Sequence, residues 1–240
     1  MDLRWGTILF AVIALMMTAH DASTYASADE LLRVEGYLFR WSPPVSGSVR
    51  TVTYATLTQP YLISTGKSIA SPNNCGSMNP LSAITANSTG ISPAQIGHEL
   101  QSAFAAWEVA ANLHFVEVGD TSQADIIIGS TVEPTGRAFT NLSYRPAPDS
   151  SLAVEPVAEI DQAFICLNPD KGWKVGFDGN LDIYDLRHTF IHEIGHAIGL
   201  DHPANSGSMM AFRYDESIKR LQQSDISAVQ MLYGPKPQTK

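Results

Sequence analysis

Clusters of basic residues are absent from this sequence, and cysteine is scarce. The formal net charge is −9 at pH 7, and the 15 lysines and arginines form no run or stripe. Because nucleic-acid binding needs a cationic surface, this distribution argues against a nucleic-acid partner. The two cysteines, Cys75 and Cys166, are too few for a disulfide scaffold, and no internal repeat is visible. A chain of 240 residues without repeats fits one domain with a sizeable core, and we expect a monomer.

Long hydrophobic runs are also rare, and the one that occurs lies near the start of the chain. Residues 8–17 are continuously apolar, and Ala26, Ser27 and Ala28 form an A-x-A site of the kind that signal peptidases cleave. The run is shorter than the roughly 20 apolar residues that a membrane span needs. We therefore expect residues 1–28 to be a signal peptide, with an uncleaved membrane anchor as the alternative. The mature protein is then expected to be secreted or periplasmic, with no stable membrane association.

The most informative stretch follows the pattern H-E-x-x-H-x-x-G-x-x-H, with His192, Glu193, His196, Gly199 and His202 at the specified positions. Residues four apart on an α-helix lie one turn above each other, so His192 and His196 point the same way and can share one cation. Gly199 readily adopts positive φ, which ends the helix and lets the chain turn back to bring in His202 as a third ligand. A solvated helix face with two histidines explains the shorter H-E-x-x-H motif but not the longer one.

Three imidazoles suit one kind of metal site. Structural zinc sites are closed by four protein ligands, whereas three neutral imidazoles leave a fourth position for water, as catalytic zinc sites do. Zinc lowers the pKa of such a water to about 7, and Glu193, next to the first ligand, is placed to take its proton as a general base. The motif therefore predicts one catalytic zinc held by His192, His196 and His202, with Glu193 as the catalytic residue.

The longer motif, followed by Met210, resembles the signature of the metzincin zinc proteases. Within that group, the short interval from His202 to Met210, together with Tyr214 four residues later, is similar to the matrixins, the family of the matrix metalloproteinase catalytic domain. Residues 221–234, L-Q-Q-S-D-I-S-A-V-Q-M-L-Y-G, resemble the last helix of that family. The resemblance implies that Met210 forms the turn beneath the zinc and that Tyr214 lines the S1′ pocket, which holds the substrate residue after the scissile bond. Phe212 stands where matrixins commonly have proline, which leaves the shape of the pocket wall open.

The resemblance also implies a fold, an activity and a domain layout. The expected fold is α+β, the metzincin catalytic domain, with a twisted mixed β-sheet, two long helices and a small C-terminal helical subdomain. The expected activity is that of a secreted zinc-dependent endopeptidase acting on protein or peptide substrates. Two alternatives stay open: a secreted binding protein on the same fold without turnover, and a zinc hydrolase of non-peptide amides. The expected layout is residues 29–40 as a short N-terminal or pro-segment, 41–234 as the catalytic domain and 235–240 as a tail.

Alternatives stay open for Cys75 and for the segment before the domain. Cys75 and Cys166 fit the single disulfide of an exported protein, whereas the other interpretation places Cys75 on the zinc as a latency switch. Cys75 lacks the arginine that precedes the switch cysteine in matrixins, so the disulfide is favoured. Residues 29–40 are interpreted as an ordered arm, with a pro-segment in which Asp29 or Glu30 blocks the zinc as the alternative.

Periodic patterns predict the elements around the motif. Ser92, Pro93 and Gln95 predict a helix start with an N-cap, a proline in the first turn and a capping box. Apolar residues then recur every three or four positions, which predicts one buried stripe of Ile96, Leu100, Phe104, Trp107 and Ala111. Strands are predicted at residues 49–57, 113–118, 124–129, 136–144 and 158–167. In matrixins an edge strand pairs with extended substrate, and the fourth of these segments is expected to be that strand.

Further acids and histidines bear on metal binding. The stretch from 170 to 185 contains oxygen-bearing side chains among glycines: Asp170, Asp178, Asn180, Asp182 and Asp185. Two interpretations of these residues stay open in equal measure: they bind calcium, or they serve as turn and helix-capping residues. His188 lies one turn before His192 and is expected to pack beside the site rather than to bind metal. Residues 128–171 contain no histidine, so the second, structural zinc common in matrixins is not expected.

Overall fold

The computed structural model describes residues 30–42, 49–63, 74–86, 88, 90–133, 135–152, 155–204 and 207–237, without the side chains of residues 146–152. The predicted signal peptide lies outside the described residues. Among the helices within these ranges, none combines the length and the apolar character needed to cross a membrane.

The described chain contains short and long strands, three α-helices and two 3-10 turns. The strands are β1 (Arg33–Val34), β2 (Tyr37–Arg40), β3 (Arg50–Thr56), β4 (Tyr61–Leu62), β5 (Ser77–Met78), β6 (Leu113–Glu117), β7 (Ile126–Ser130), β8 (Ala138–Leu152), β9 (Glu155–Leu167), β10 (Trp173–Lys174) and β11 (Tyr184–Asp185). The helices are α1 (Pro93–Ala110), α2 (Leu186–Ala197) and α3 (Gln223–Tyr233), and the 3-10 turns are Leu81–Thr85 and Thr121–Gln123.

A mixed seven-stranded sheet carries the rest of the structure. Its order is β1-β2-β9-β7-β3-β6, and β8 pairs with the other side of β9. The strands β2, β9, β7, β3 and β6 run parallel, whereas β1 and β8 are antiparallel to their neighbours. Within the described part of the chain β8 pairs with β9 alone, so it is an edge strand, as predicted for residues 136–144. The sheet and helices confirm the α+β class, with a third helix of 11 residues at the C-terminal end.

Both faces of the sheet are covered, which explains the continuous apolar run in β7. Ile126 and Ile128 pack in the main core with the helices, and Ile127 packs on the opposite face. The second face is closed by the segment before α1, which contributes Cys75 and Met78. A strand buried on both faces needs apolar residues at every position rather than at alternate ones, and all five residues of β7 are buried.

The disulfide fastens that covering segment to the sheet. Cys75 is bonded to Cys166 of β9, with Cα atoms 5.7 Å apart and a sequence separation of 91. Both residues are fully buried. The structure therefore agrees with the disulfide and not with the latency switch. A crosslink that closes so long a loop contributes on the order of 4 kcal/mol in the chain-entropy model.

Helix α1 begins with the predicted capping box and holds α2 in place. Ser92 Oγ accepts a hydrogen bond from Gln95 N (3.2 Å), and Gln95 Oε1 accepts one from Ser92 N (2.9 Å). The predicted apolar stripe is buried against the core. Near the C-terminal end of α1, Trp107 Nε1 donates to the carbonyl of Ile191 in α2 (2.9 Å). This hydrogen bond fixes the position of α2 relative to α1.

The residues that precede β2 run along the segment after α2. Leu32 N donates to Gly199 O (2.9 Å), and Asp201 N donates to Glu30 O (2.6 Å). The Glu30 side chain is buried, and burial, together with the nearby Asp225 carboxylate, raises its pKa to about 7. Residues 30–40 therefore form an ordered arm in which Glu30 points to α3.

The acidic stretch between β9 and α2 is organised around an ammonium group. Lys174 Nζ contacts the carboxylates of Asp178 and Glu216 and donates to Asn180 O at 2.7 Å. Asp185 is the N-cap of α2, because its two carboxylate oxygens accept backbone N–H bonds from α2 and from the preceding loop. These acids already have donors within the protein, which favours turn and capping roles over a calcium site.

Calcium is therefore expected to leave the thermal unfolding midpoint of the protein unchanged, because the Lys174 ammonium occupies the position that a cation would take among these oxygens. Differential scanning fluorimetry with and without millimolar calcium measures this. Lys174→Met is the matched variant, since it removes the positive charge, leaves the oxygens and is expected to lower the midpoint. A calcium-dependent rise in the wild-type midpoint would contradict this assignment.

Gly199 ends the metal-site helix in the conformation that the sequence predicted. Its φ is 97°, and a Cβ atom placed there would lie 2.0 Å from the carbonyl oxygen of Phe39 in β2. Glycine is required for two reasons. This backbone conformation is unfavourable for residues with a side chain, and β2 passes too close to leave room for a Cβ atom.

Replacing Gly199 by alanine is expected to lower the free energy of unfolding by about 2–5 kcal/mol, the sum of left-handed backbone strain and overpacking. Urea denaturation followed by tryptophan fluorescence measures the loss. The control is Gly97→Ala, since Gly97 lies within α1 and a Cβ atom there would meet nothing within 4 Å. That change is expected to raise stability by about 0.5–1 kcal/mol. Equal effects at the two sites would contradict the analysis.

Candidate metal centre

The three histidines of the motif converge on one point. His192 and His196 extend from α2, and the turn at Gly199 brings in His202. The Nε2 atoms lie 3.1 Å apart for His192 and His202 and 3.2 Å apart for each of the other two pairs. A tetrahedral zinc with Zn–N bonds of about 2.0–2.1 Å places its ligand nitrogens about 3.3–3.4 Å apart, close to this triangle. Among the described residues, no other group of three or more His, Cys, Asp or Glu is arranged to hold a metal.

Backbone carbonyls set the orientation of two of the rings. His192 Nδ1 donates to Met209 O at 3.0 Å, and His196 Nδ1 donates to Leu200 O at 2.8 Å. Because a carbonyl oxygen can only accept, each Nδ1 carries the proton and each Nε2 keeps its lone pair. Both lone pairs therefore point into the triangle, as metal ligation requires.

The protonation state of the three rings also suits a metal. Burial lowers the pKa of His192 and His196, and burial followed by the charge of His196 lowers that of His202 to about 4. The rings are therefore neutral at pH 7, the form in which imidazole binds zinc. The donor set and its spacing fit a zinc ion with a fourth position facing the cleft.

Glu193 lies next to the triangle and is tied to the edge strand. Its side chain is buried, and burial raises the pKa of its carboxyl group. Thr140 of β8 donates its hydroxyl proton to Glu193 Oε2 at 2.7 Å, which opposes that shift by stabilising the carboxylate. The carboxylate is thus held at a fixed place between the metal site and β8.

Met210 packs against α2 at Gly195, the residue before His196. It is fully buried, and its Sδ atom lies so close to α2 that a Cβ on Gly195 would be 2.2 Å from it. The same Cβ would be 3.0 Å from the Trp107 ring. Because Gly195 has no side chain, both Met210 and Trp107 of α1 can pack closely against α2.

A buried carboxylate from α3 holds the methionine turn. Asp225 accepts hydrogen bonds from Ser208 Oγ (2.5 Å), Met209 N (3.0 Å), Met210 N (3.1 Å) and Gln222 N (2.6 Å). Met209 also supplies the carbonyl that orients His192. Asp225 therefore acts on the metal site through the backbone of the turn.

The cleft in front of the histidines has a volume of about 850 Å³, and Tyr214 lies in its wall. The Tyr214 hydroxyl donates to Glu216 Oε1 and accepts from Asp185 N, both at 2.9 Å. His188 packs edge-on against this ring and is buried, which lowers its pKa to about 4, so it is a packing residue rather than a ligand. Phe212 lines the cleft with 80% of its surface exposed.

Sequence reasoning missed the supporting residues of the site. Thr140 was part of a predicted strand, but its bond to Glu193 joins residues 53 apart in sequence. Asp225 was part of the predicted last helix, and its position three residues after the N-cap was the one local signal of a capping role. Neither contact follows from a motif.

Asp225→Asn is expected to weaken both the fold and the metal site. The amide keeps the size of the side chain but loses the charge that accepts four hydrogen bonds, so we expect a loss of about 1–3 kcal/mol in unfolding free energy. Zinc affinity, measured by competition with a chromogenic chelator, should fall about 10–100-fold, because the carbonyl that orients His192 is less firmly held. Asp215→Asn is the control, since Asp215 is exposed and should change neither quantity. Unchanged zinc affinity in the Asp225 variant would contradict the argument.

Known proteins are similar in sequence to part of the chain. The chain is 32% identical over 148 residues to interstitial collagenase of Bos taurus and 28% identical over 155 residues to that of Oryctolagus cuniculus. It is 29% identical over 145 residues to karilysin of Tannerella forsythia. These matches cover 60%, 60% and 56% of this chain but only 29%, 30% and 28% of the three relatives. The chain thus spans less than a third of the length of the relatives it matches.

The family comparison covers the whole metal centre. The model of the family described as matrixin matches residues 81–234, more than half of the chain. This range includes the edge strand, the three histidines, the methionine turn and α3. With the geometry of the site, this match identifies the chain: it belongs to the matrixin family.

Proposed function

We propose that this chain is a secreted zinc-dependent endopeptidase that cleaves peptide bonds with a metal-activated water. The observation that carries the proposal is the triangle of neutral imidazoles with a buried carboxylate beside it, at the edge of the sheet. Family membership supports the reaction class, and the leader pattern in residues 1–28 supports secretion.

His192, His196 and His202 would hold the zinc through their Nε2 atoms. A zinc ion bound there lowers the pKa of a bound water to about 7 and polarises a carbonyl oxygen. The carbonyls of Met209 and Leu200 keep two of the rings in the ligating tautomer, so the protein is prepared for the metal before it binds.

Glu193 accepts a proton from the attacking water and returns it to the leaving nitrogen. Its burial raises the pKa towards the range in which a carboxyl group can both take up and release a proton. The Thr140 hydroxyl holds the carboxylate next to β8. A proton carrier in a fixed position does not have to be reoriented between the two transfers.

The edge of β8 binds the substrate backbone. An extended peptide can add to an edge strand through main-chain hydrogen bonds, which are indifferent to sequence. Because β8 also carries Thr140, a peptide paired with it passes directly in front of Glu193. Specificity then depends on the side-chain pocket beside Tyr214.

The alternative is a secreted binding protein on the same fold, and a third candidate is a hydrolase of non-peptide amides. All three histidine ligands and Glu193 are present, so the residues of the site do not favour a binding protein that has lost catalysis. The long edge strand favours peptides over small amides. Cleavage of casein or a peptide library that is lost with a chelator and restored by zinc would distinguish the enzyme from the binding protein. Identification of cleavage products in a proteome digest would establish the substrate class.

Glu193→Ala is expected to retain zinc and to lose about 100-fold or more of kcat/KM, because general acid–base catalysis is removed while the three ligands stay in place. Zinc content by mass spectrometry of the native protein and cleavage of a quenched fluorescent peptide measure the two properties. Glu117→Ala is the control, since Glu117 is exposed on β6 and lies outside the metal-site cleft. An active Glu193 variant would refute the assigned base, and loss of zinc would show that Glu193 serves the metal instead.

A further inference from the structure

A cationic side chain lies in the wall of the cleft beyond the three histidines. Arg137 immediately precedes β8 and lines the cleft together with Tyr184 and Tyr214. Its guanidinium carbon is 5.0 Å from the centre of the Tyr184 ring and 5.7 Å from that of Tyr214. Two aromatic rings therefore hold a half-buried, planar cation at the pocket that the proposed function assigns to the residue after the scissile bond.

The charge of Arg137 is not neutralised by an acid within the described part of the chain. No ion pair or side-chain hydrogen bond joins its guanidinium to another residue there, whereas Arg33, Arg145 and Arg187 each pair with a glutamate. The chain has 24 acidic and 15 basic residues, so the lack of an acidic partner for Arg137 does not come from a shortage of acidic residues in the sequence. A half-buried guanidinium without an acidic partner keeps its N–H donors free for a ligand in the cleft.

The acids that share the cleft are engaged elsewhere. The Glu193 carboxylate accepts the Thr140 hydroxyl proton, and the Asp201 carboxylate accepts the backbone N–H of His202. Arg213 is a second cation along the cleft, but it is exposed. The charged residues that line the cleft beside Tyr214, Arg137 and Arg213, are therefore cations, and Glu216, which binds the Tyr214 hydroxyl, is paired with Lys174.

The positive charge of Arg137 also acts on His188, which lies behind the Tyr214 ring. Burial, and after it the positive charge of Arg137, lowers the pKa of the His188 imidazole to about 4. His188 in turn packs against the Tyr214 ring with ring centres 4.8 Å apart. The guanidinium thus acts on the same walls that would enclose a substrate side chain.

We propose that Arg137 makes this pocket selective for a substrate residue that carries a side-chain carboxylate, an aspartate or a glutamate directly after the scissile bond. The inference rests on the proposed function for the position of the scissile bond. Guanidinium binds carboxylate through two parallel hydrogen bonds, and the contacts with the two tyrosine rings hold it at the pocket wall before a substrate binds. An apolar side chain in the same place would cover the cation without pairing with it.

The carboxylate could also be the α-carboxylate at the end of a peptide, since its chemistry is the same. A peptide cut by the proposed endopeptidase continues beyond the residue after the scissile bond, so in such a substrate the carboxylate belongs to a side chain. Peptides with a free or amidated terminus after the selected residue separate the two sources.

The test uses quenched fluorescent peptides that differ only at the residue after the scissile bond, with the matched pairs glutamate and glutamine, and aspartate and asparagine. For the zinc-loaded wild type, kcat/KM should be at least tenfold higher for the acid than for its amide, which corresponds to about 1.4 kcal/mol. Arg137→Met should bring this ratio close to one, and Arg137→Lys should retain part of it. Arg220→Met is the control for net charge, because Arg220 is exposed and does not line the cleft, and it should leave the ratio unchanged.

Binding of the same peptides to zinc-loaded Glu193→Ala, followed by fluorescence anisotropy, separates this inference from the proposed function. Turnover without discrimination between acid and amide overturns the inference and leaves the endopeptidase intact. Tighter binding of the acidic peptide without turnover by the wild type supports the inference and contradicts the endopeptidase. Cleavage restricted to peptides with a free terminal carboxylate overturns the side-chain assignment. An acid preference that survives in Arg137→Met shows that another group provides it.

Discussion

Two hydrogen bonds from histidine to the backbone determine what this site can do. The Nδ1 atoms of His192 and His196 donate to the carbonyls of Met209 and Leu200, and this leaves the Nε2 lone pairs directed at one point. Without those carbonyls either ring could carry its proton on the other nitrogen, and metal affinity would fall by about 10–100-fold. The turn at Gly199 matters for the same reason, because it places both the Leu200 carbonyl and the His202 ring.

Much of the remaining structure holds the histidines, Glu193 and the two carbonyls in position. Helix α1 fixes the depth of α2 through Trp107, and Asp225 of α3 holds the turn that supplies the Met209 carbonyl. The sheet supplies the other side of the cleft, since Thr140 of β8 binds Glu193. The site therefore depends on contacts between elements that are distant in sequence, and the parallel sheet with its two covered faces is the scaffold that aligns them.

The sequence predicted the parts of this arrangement that follow from local spacing. The histidine offsets, the positive φ at Gly199 and the capping box at Ser92 all depend on neighbours within a few positions, and the structure agrees with each. The edge position of residues 136–144 came from the family resemblance, and the structure agrees with it too. The contacts that remained hidden are long-range. Nothing near Lys174 in sequence indicates that its ammonium contacts Glu216. The role proposed for Arg137 likewise depends on its contacts with Tyr184 and Tyr214, which are distant in sequence. The calcium alternative persisted at the sequence level for that reason, because the same acids serve either a cation from solution or an internal one.

Three neutral imidazoles are expected to bind one zinc and to leave its fourth position open to solvent. X-ray absorption at the zinc edge of the metal-loaded protein measures this directly. We expect one zinc per chain with three imidazole nitrogens and one further light atom from solvent, all at about 2.0–2.1 Å. A sulfur neighbour, a fourth protein ligand, or the same spectrum after replacement of His202 by alanine would contradict it.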